Sequence, residues 1–297
     1  MTHSPDPLGR LLTALDLRRL EGWGPRGEDD VLRGDSVPGP ARRVYGGQVL
    51  AQALLACGRT VDDDRLPHSL HAYFLREGTL EEPIDFAVER LRDGRSFSAR
   101  RTHAIQAGRP ILSLTASFQV DQPGYETHVP MPDGVPAPED VPSAFDVLAG
   151  VDHPAARFWT EGSAFELAHV GGSIYLGAAT DPRPEQMVWM RTRRPVESDD
   201  LMLHRALLAF GCDQVMLEPV LRQAGTSWRD VGGRVPMASL DHAMWFHRDA
   251  RADSWLLYVQ ESPAAQGGRG LGLARVYDRS GALVATIAQE GMVRLPG

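Results

Sequence analysis

Apolar residues recur at helical spacing from Tyr45 to Cys57: Val49, Ala53 and Ala56 share a face, with Leu50, Leu54 and Cys57 beside them. The segment is apolar over much of its circumference, which marks a helix wrapped by other structure rather than lying on a surface. Downstream the period shortens to two. It predicts strands at His68 to Arg76, Pro83 to Leu91, Ser96 to Ile105 and Arg109 to Val120, with polar turns such as Arg92-Asp93-Gly94-Arg95 and Gln106-Ala107-Gly108. The order then returns. After strands at Glu166 to Gly177 and Met187 to Arg194, Ser198-Asp199-Asp200 offers an N-cap for a helix from Leu201 to about Met216. Strands follow at Ala238 to Arg248, Ser254 to Glu261, Gly270 to Asp278 and Leu283 to Arg294, the last two joined by the turn Asp278-Arg279-Ser280-Gly281. A short helix is predicted over Leu8 to Leu17, a Gly/Pro-rich loop over Gly22 to Ala41, and a proline-rich linker with little structure of its own over Pro123 to Pro142.

The recurrence extends to residues. Ala53-Leu54-Leu55-Ala56-Cys57-Gly58 reappears as Ala206-Leu207-Leu208-Ala209-Phe210-Gly211, and the strands after the helices open with Ser69-Leu70 and Ser239-Leu240. A helix followed by a strand meander, used twice, predicts an α+β chain of two similar modules, residues 1–122 and 165–297, joined by a linker at 123–164. With 297 residues, 42% of them hydrophobic, each half has enough apolar material for a core. The copies differ at polar positions: Gly211 is followed by Cys212-Asp213, Gly58 by Arg59-Thr60. One main site, built on the second helix and sheet, is therefore expected.

A net charge of −8 disfavours a general nucleic-acid binder. All 31 basic residues are Arg. The absence of Lys removes Schiff-base and P-loop chemistry and leaves Arg to meet any phosphate. The two cysteines, Cys57 and Cys212, form no metal-spaced pair and imply no disulfide framework. No metal or cofactor is expected. Neither a signal pattern nor an apolar run of membrane-spanning length is found, so a reducing cytoplasm is the expected compartment.

Three polar residues interrupt apolar faces or sit among them. Asp213 continues the stripe Leu203, Ala206, Phe210 at steps of three and four. A carboxylate on a buried face needs a reason, because burial disfavours its charged form; the alternative is an exposed Asp where the helix frays after Gly211. Gln289 is the polar member of the strand face Ala285, Ile287, Gln289, Val293, and its amide can accept from water and donate to a carbonyl at once. Its plainer role is a buried amide bonded to backbone. Ser239 is weaker alone, since a strand Ser usually serves a backbone group. By the two-residue period it shares a face with Asp241, an outside catalytic candidate, while His242 points the other way. Competing signals fail on context. Gly-x-Ser-x-Gly is absent, and Gly34-Asp35-Ser36 has no following helix. Gly268-x-Gly270-x-Gly272 precedes a strand, His242 and His247 are wrongly spaced for a metal, and Cys212 reads as a core residue.

Several segments resemble type II acyl-CoA thioesterases, whose fold is a double hotdog: Val44-Tyr45-Gly46-Gly47-Gln48-Val49-Leu50-Ala51-Gln52-Ala53, His68-Ser69-Leu70-His71-Ala72-Tyr73-Phe74-Leu75-Arg76, Asp93-Gly94-Arg95-Ser96-Phe97-Ser98-Ala99-Arg100-Arg101, Ala238-Ser239-Leu240-Asp241-His242-Ala243-Met244-Trp245-Phe246-His247-Arg248 and Ala288-Gln289-Glu290-Gly291. The likeness covers roughly residues 35 to 295 in order, departing most between Gln214 and Met237. It implies two long helices, each wrapped by an antiparallel sheet, with the sheets joined into one. It also implies hydrolysis of fatty acyl-CoA to free acid and CoA by a water oriented by an Asp, a Ser or Thr, and a Gln, which match Asp213, Ser239 and Gln289. Backbone N–H groups at a helix start, Gly47 among them, are candidates to polarise the thioester carbonyl. His68 is a candidate for the site lining, and Arg95, Arg100, Arg101 and Arg269 for the CoA phosphates. Association into dimers or tetramers of double hotdogs is implied too. A hotdog hydratase and a non-catalytic acyl-CoA binder are the alternatives.

Overall fold

The computed structural model describes residues 6–21, 30–38 and 43–295. The first half contains α1 (Pro7–Leu15), β1 (Arg18–Leu20), β2 (Asp30–Gly34), α2 (Gly46–Gly58), β3 (Arg65–Phe74), β4 (Ile84–Asp93), β5 (Phe97–Gln106) and β6 (Arg109–Val120). The short helices α3 (Ala144–Val147) and α4 (Pro154–Arg157) follow, then a π-helical turn over Phe158–Gly162. The second half contains β7 (Phe165–Val170), β8 (Glu185–Thr192), α5 (Leu201–Cys212), α6 (Glu218–Gln223), β9 (Met237–Ser239), β10 (Asp241–Phe246), β11 (Leu256–Gln266), β12 (Arg269–Tyr277) and β13 (Leu283–Val293).

Among the described residues the strands form one antiparallel sheet in the order β1-β2-β4-β5-β6-β3-β10-β13-β12-β11-β8-β7, with β9 alongside β13. The seam is the repeated strand itself. β3 pairs with β10, Leu70 opposite Met244 and His71 opposite Ala243. The all-round apolar helix α2 has every residue from Gly47 to Cys57 buried. It packs on α5, and one apolar cluster runs from Leu50 and Leu54 through Leu207 to Ile287. Burying each such side chain contributes about 1.5–3 kcal/mol. The wrapped helix pair and the joined sheet agree with expectation.

Two expectations need correction, and two others gain detail. Much of Gly22 to Ala41 lies outside the described residues, but Asp30–Gly34 within it is a strand. Val31 and Leu32 are buried, and the segment pairs with β4. The helix predicted to Met216 ends at Cys212; a turn then leads into α6. Its N-cap is Asp200, whose carboxylate accepts from Met202 N at 2.9 Å. Finally, the linker is seated on the sheet. The outer face of the second half carries Ala168, Trp189, Leu257 and Tyr277, and Met131, Val135 and Val141 cover it. Trp189 Nε1 donates to Pro136 O at 3.0 Å, and Tyr277 Oη to Pro130 O at 3.3 Å. An apolar sheet face must be covered by something, and here it is by chain that composition alone reads as loop.

Candidate active site

The two helices run antiparallel, so the start of α2 meets the end of α5. Tyr45, just before α2, donates its hydroxyl to Phe210 O at 2.9 Å, with the two rings edge to face. Glycine makes the approach possible: a Cβ on Gly47 would lie 2.5 Å from Phe210 O, a backbone atom that cannot swing aside. Tyr45 gives α2 no side-chain cap. The cap comes instead from Asp213, at the C-cap of α5, whose Oδ2 accepts from Gly47 N at 2.7 Å. The positive end of a helix favours a carboxylate there.

Capping alone does not account for the other oxygen. Asp213 Oδ1 accepts from Ser239 Oγ at 3.0 Å and from Gln289 Nε2 at 2.7 Å, while Gln289 Nε2 lies 2.9 Å from Ser239 Oγ. Three residues from α5, β9 and β13, none adjacent in sequence, therefore converge at the start of α2. Gln289 is buried; Asp213 and Ser239 are half-buried.

The facing of Ser239 and its neighbours differs from the two-residue alternation. Ser239 lies opposite Gly291 but Ala243 opposite Ala288, so four steps along one strand match three on the other. The extra residue, at Leu240, forms a bulge between β9 and β10 and turns the following side chains over. His242 thus comes to the inner face with Ser239, its Nδ1 2.7 Å from Gln289 Oε1 and its Nε2 3.5 Å from Cys212 Sγ. Asp241 turns away and accepts from Glu290 N at 2.9 Å, a structural task. Burial pushes the His242 imidazole below its ordinary range, against the opposing pull of Asp213. Burial also pushes the Cys212 thiol well up, which suits a core residue rather than a nucleophile. His242 and Tyr45 are the site neighbours that sequence reasoning passed over. The Tyr-Gly-Gly junction signals one, and a bulge that no pattern announces hides the other.

The remaining candidates scatter. His68 bonds Ser117 Oγ at 2.8 Å and lies six residues along β3 from Phe74, which borders Gly46; that is about 20 Å from the carboxylate end. Arg95 is exposed in the β4–β5 turn. Arg101 faces out toward Glu89. Arg269 pairs with Glu290 at 3.1 Å, near the site along the strand but on the outer face of the sheet. Arg100 is buried at the other end of the helix pair. There Thr60 stands two residues after Gly58, as Asp213 does after Gly211. Arg100 Nε donates to Thr60 Oγ1 at 2.9 Å and Nη2 to Thr60 O at 2.8 Å and Asp93 Oδ1 at 2.6 Å. Register explains the difference. Arg100 pairs with Ala116 in the first half and Gly272 with Gln289 in the second, each pair at the same distance from its strand end. A Cβ on Gly272 would lie 2.0 Å from Met216 O, so the space that Arg100 fills in one half admits the turn after Asp213 in the other.

Residues 35–119 match the family model of the acyl-CoA thioesterase N-terminal domain, and residues 132–293 that of the C-terminal domain. The chain belongs to the acyl-CoA thioesterase family. It is 37% identical to acyl-coenzyme A thioesterase 8 of Homo sapiens over 98% of this chain and 92% of that one. It is 36% identical to acyl-CoA thioesterase 2 of Haemophilus influenzae over 97% and 98%. The solved acyl-CoA thioesterase II TesB2 of Mycobacterium marinum superposes with a TM-score of 0.76 at 38% identity, covering 97% of this thioesterase and 99% of that chain. A hot dog fold protein from Alicyclobacillus acidocaldarius, TM-score 0.75 and 21% identical, supports the fold alone.

Proposed function

We propose that this thioesterase hydrolyses acyl-CoA at the carboxylate of Asp213, by direct attack of water. The observation that carries the reading is the convergence of Ser239, Gln289 and the Gly47 N–H on that one carboxylate. Asp213 takes a proton from the water as its oxygen bonds the thioester carbon. The carbonyl oxygen becomes an oxyanion; the Gly47 N–H, a sequence candidate to meet it, is given to Asp213 Oδ2 and so positions the base instead. The C–S bond then breaks, the acid leaves, and the proton passes from Asp213 to the CoA thiolate. Gln289 has a narrower part than its chemistry allows. Its Oε1 is committed to His242, so toward the site it donates.

The two modules, residues 1–122 and 165–297, contribute unequally: the first supplies the α2 N-terminus and the second the three side chains. Family membership favours hydrolysis over the hydratase and the non-catalytic binder. Among the described residues no helix is long and apolar enough to cross a membrane. The reading includes a cytoplasmic enzyme of fatty-acid metabolism, assembled as a dimer or tetramer of double hotdogs; sedimentation would test the assembly. The chemistry is tested by release of free thiol from acyl-CoA across chain lengths. Asp213→Asn is expected to abolish turnover while leaving acyl-CoA affinity nearly unchanged; surviving activity would show that the base is another group.

A further inference from the structure

We propose that His242 is a positioning residue for hydrolysis: its Nδ1–H holds the Gln289 amide in the orientation that turns the N–H donors toward Asp213 and Ser239. This rests on Asp213, Ser239 and Gln289 being the reacting site. A carboxylate only accepts, so the Gln289 atom 2.7 Å from Asp213 Oδ1 is the amide nitrogen. That leaves Oε1 toward His242 Nδ1, 2.7 Å away, and a carbonyl oxygen there requires a proton on Nδ1. The other ring nitrogen, Nε2, is then bare and lies 3.5 Å from Cys212 Sγ, whose S–H donates to Ala209 O at 3.3 Å. Polarity therefore runs one way, from the imidazole through the amide to the carboxylate.

The Asp213 carboxylate sets that direction from one end of the amide and His242 from the other. An amide is nearly the same shape when turned over, and only its partners choose between the two states. The reversed state would aim Oε1 at the Asp213 carboxylate and strip Ser239 Oγ of the donor 2.9 Å away. Cys212, His242 and Gln289 are all about 1% exposed or less, so water cannot substitute for a lost partner. Asp213 and Cys212, from the end of α5, face the imidazole, and Asp241, on the other face of β10, acts on it only through its charge.

The test is a double-mutant cycle read in kcat and KM for thiol release. His242→Leu removes the donor and is expected to lower kcat about tenfold or more with KM little changed. His242→Asn places an amide N–H where Nδ1–H stood and is expected to restore kcat to within about threefold of the unmodified enzyme. In a Gln289→Ala background, His242→Leu is expected to cost almost nothing further, because the effect travels through the amide. Equal losses for His242→Asn and His242→Leu, or an undiminished loss in the Gln289→Ala background, would overturn the proposal. Asp213→Asn separates the two levels. If it retains turnover, the site reading and this inference fall together; if it abolishes turnover while the cycle is additive, only the role of His242 falls. Should His242→Leu not fold, nitrogen NMR of the unmodified enzyme decides instead: a single ring proton on Nδ1 supports the proposal, and one on Nε2 overturns it.

Discussion

Gly47 and Asp213 are 166 positions apart in the chain and are joined by a 2.7 Å bond from backbone N–H to carboxylate. The donor belongs to the first helix of the repeat and the acceptor to the end of the second, so neither half holds the arrangement alone. The contact exists because residue 47 has no side chain. Gly47→Ala would set a Cβ 2.5 Å from Phe210 O and 2.6 Å from the Tyr45 ring. Forcing the helices apart is expected to cost about 1–3 kcal/mol of stability and to lower thiol release at least tenfold by moving the amide from the carboxylate. Gly177→Ala, where a Cβ would meet nothing within 4 Å, is the control and should change neither. Urea denaturation and thiol release on the two variants check the pair.

Ser239 and Asp213 should rank differently. Ser239→Ala removes one of three donors to the carboxylate and leaves the Gly47 and Gln289 bonds standing. A single such bond is worth about 0.5–1.5 kcal/mol, so kcat is expected to fall about tenfold rather than to vanish as for Asp213→Asn. Ser239→Thr keeps the hydroxyl and should retain most of the rate. Steady-state kinetics would contradict this scheme if Ser239→Ala were as inactive as Asp213→Asn.

Much of this arrangement is legible in sequence, for reasons that particular residues show. The helical stripe carried Asp213 to a buried face, and strand alternation from Ala285 to Val293 carried Gln289 to the core side of β13. Both are local periodicities, which one chain suffices to read. What escaped depends on pairing between distant strands. The extra residue at Leu240 shows only in register against β13, and it reverses the facing of Asp241 and His242. The strand Asp30–Gly34 sits within Gly- and Pro-rich composition, and its pairing with β4 decides its state. Arg95 and His68 belong to the matching motifs, yet lie at the opposite end of the helix pair, because nothing in a motif states which end of an element it occupies.

Stability should decline on mild acidification. His68, His242 and His247 are each held below the ordinary histidine value of 6.5, in every case chiefly by burial. A depressed folded pKa means that the unfolded chain binds more protons in the interval between the folded and unfolded values. The stabilising preference for the neutral rings is fully present above pH 6.5 and is lost as pH falls from there through the folded values. Urea midpoints are therefore expected to drop between pH 7.5 and pH 5.5, below which the carboxylates of Asp30, where burial is outweighed by Arg90 and Arg19 together, and of Asp93, held low by Arg100, add their own loss only in strong acid. His242→Asn should flatten the histidine part of the decline; a midpoint that rises on acidification would contradict the assignment.

The far end of the helix pair should tolerate change without loss of chemistry. Arg100 is 1% exposed and donates to Thr60 Oγ1, Thr60 O, Arg92 O, Ala99 O and Asp93. It fills, in the first half, the place that Gly272 leaves open beside Gln289 in the second. Arg100→Ala would empty that place and leave Thr60 O without its partner, at a cost of about 2–4 kcal/mol. Asp93 is more than half exposed, so it would be rehydrated rather than stranded, and charge burial adds little to the cost. Because Thr60 offers no carboxylate, vacating the space creates no second site. Turnover per folded molecule is expected to stay within about twofold while the denaturation midpoint falls. A matching collapse of kcat in the folded variant would show that this end takes part in the reaction, and that the two halves of the repeat are less unequal than Asp213 and Thr60 make them.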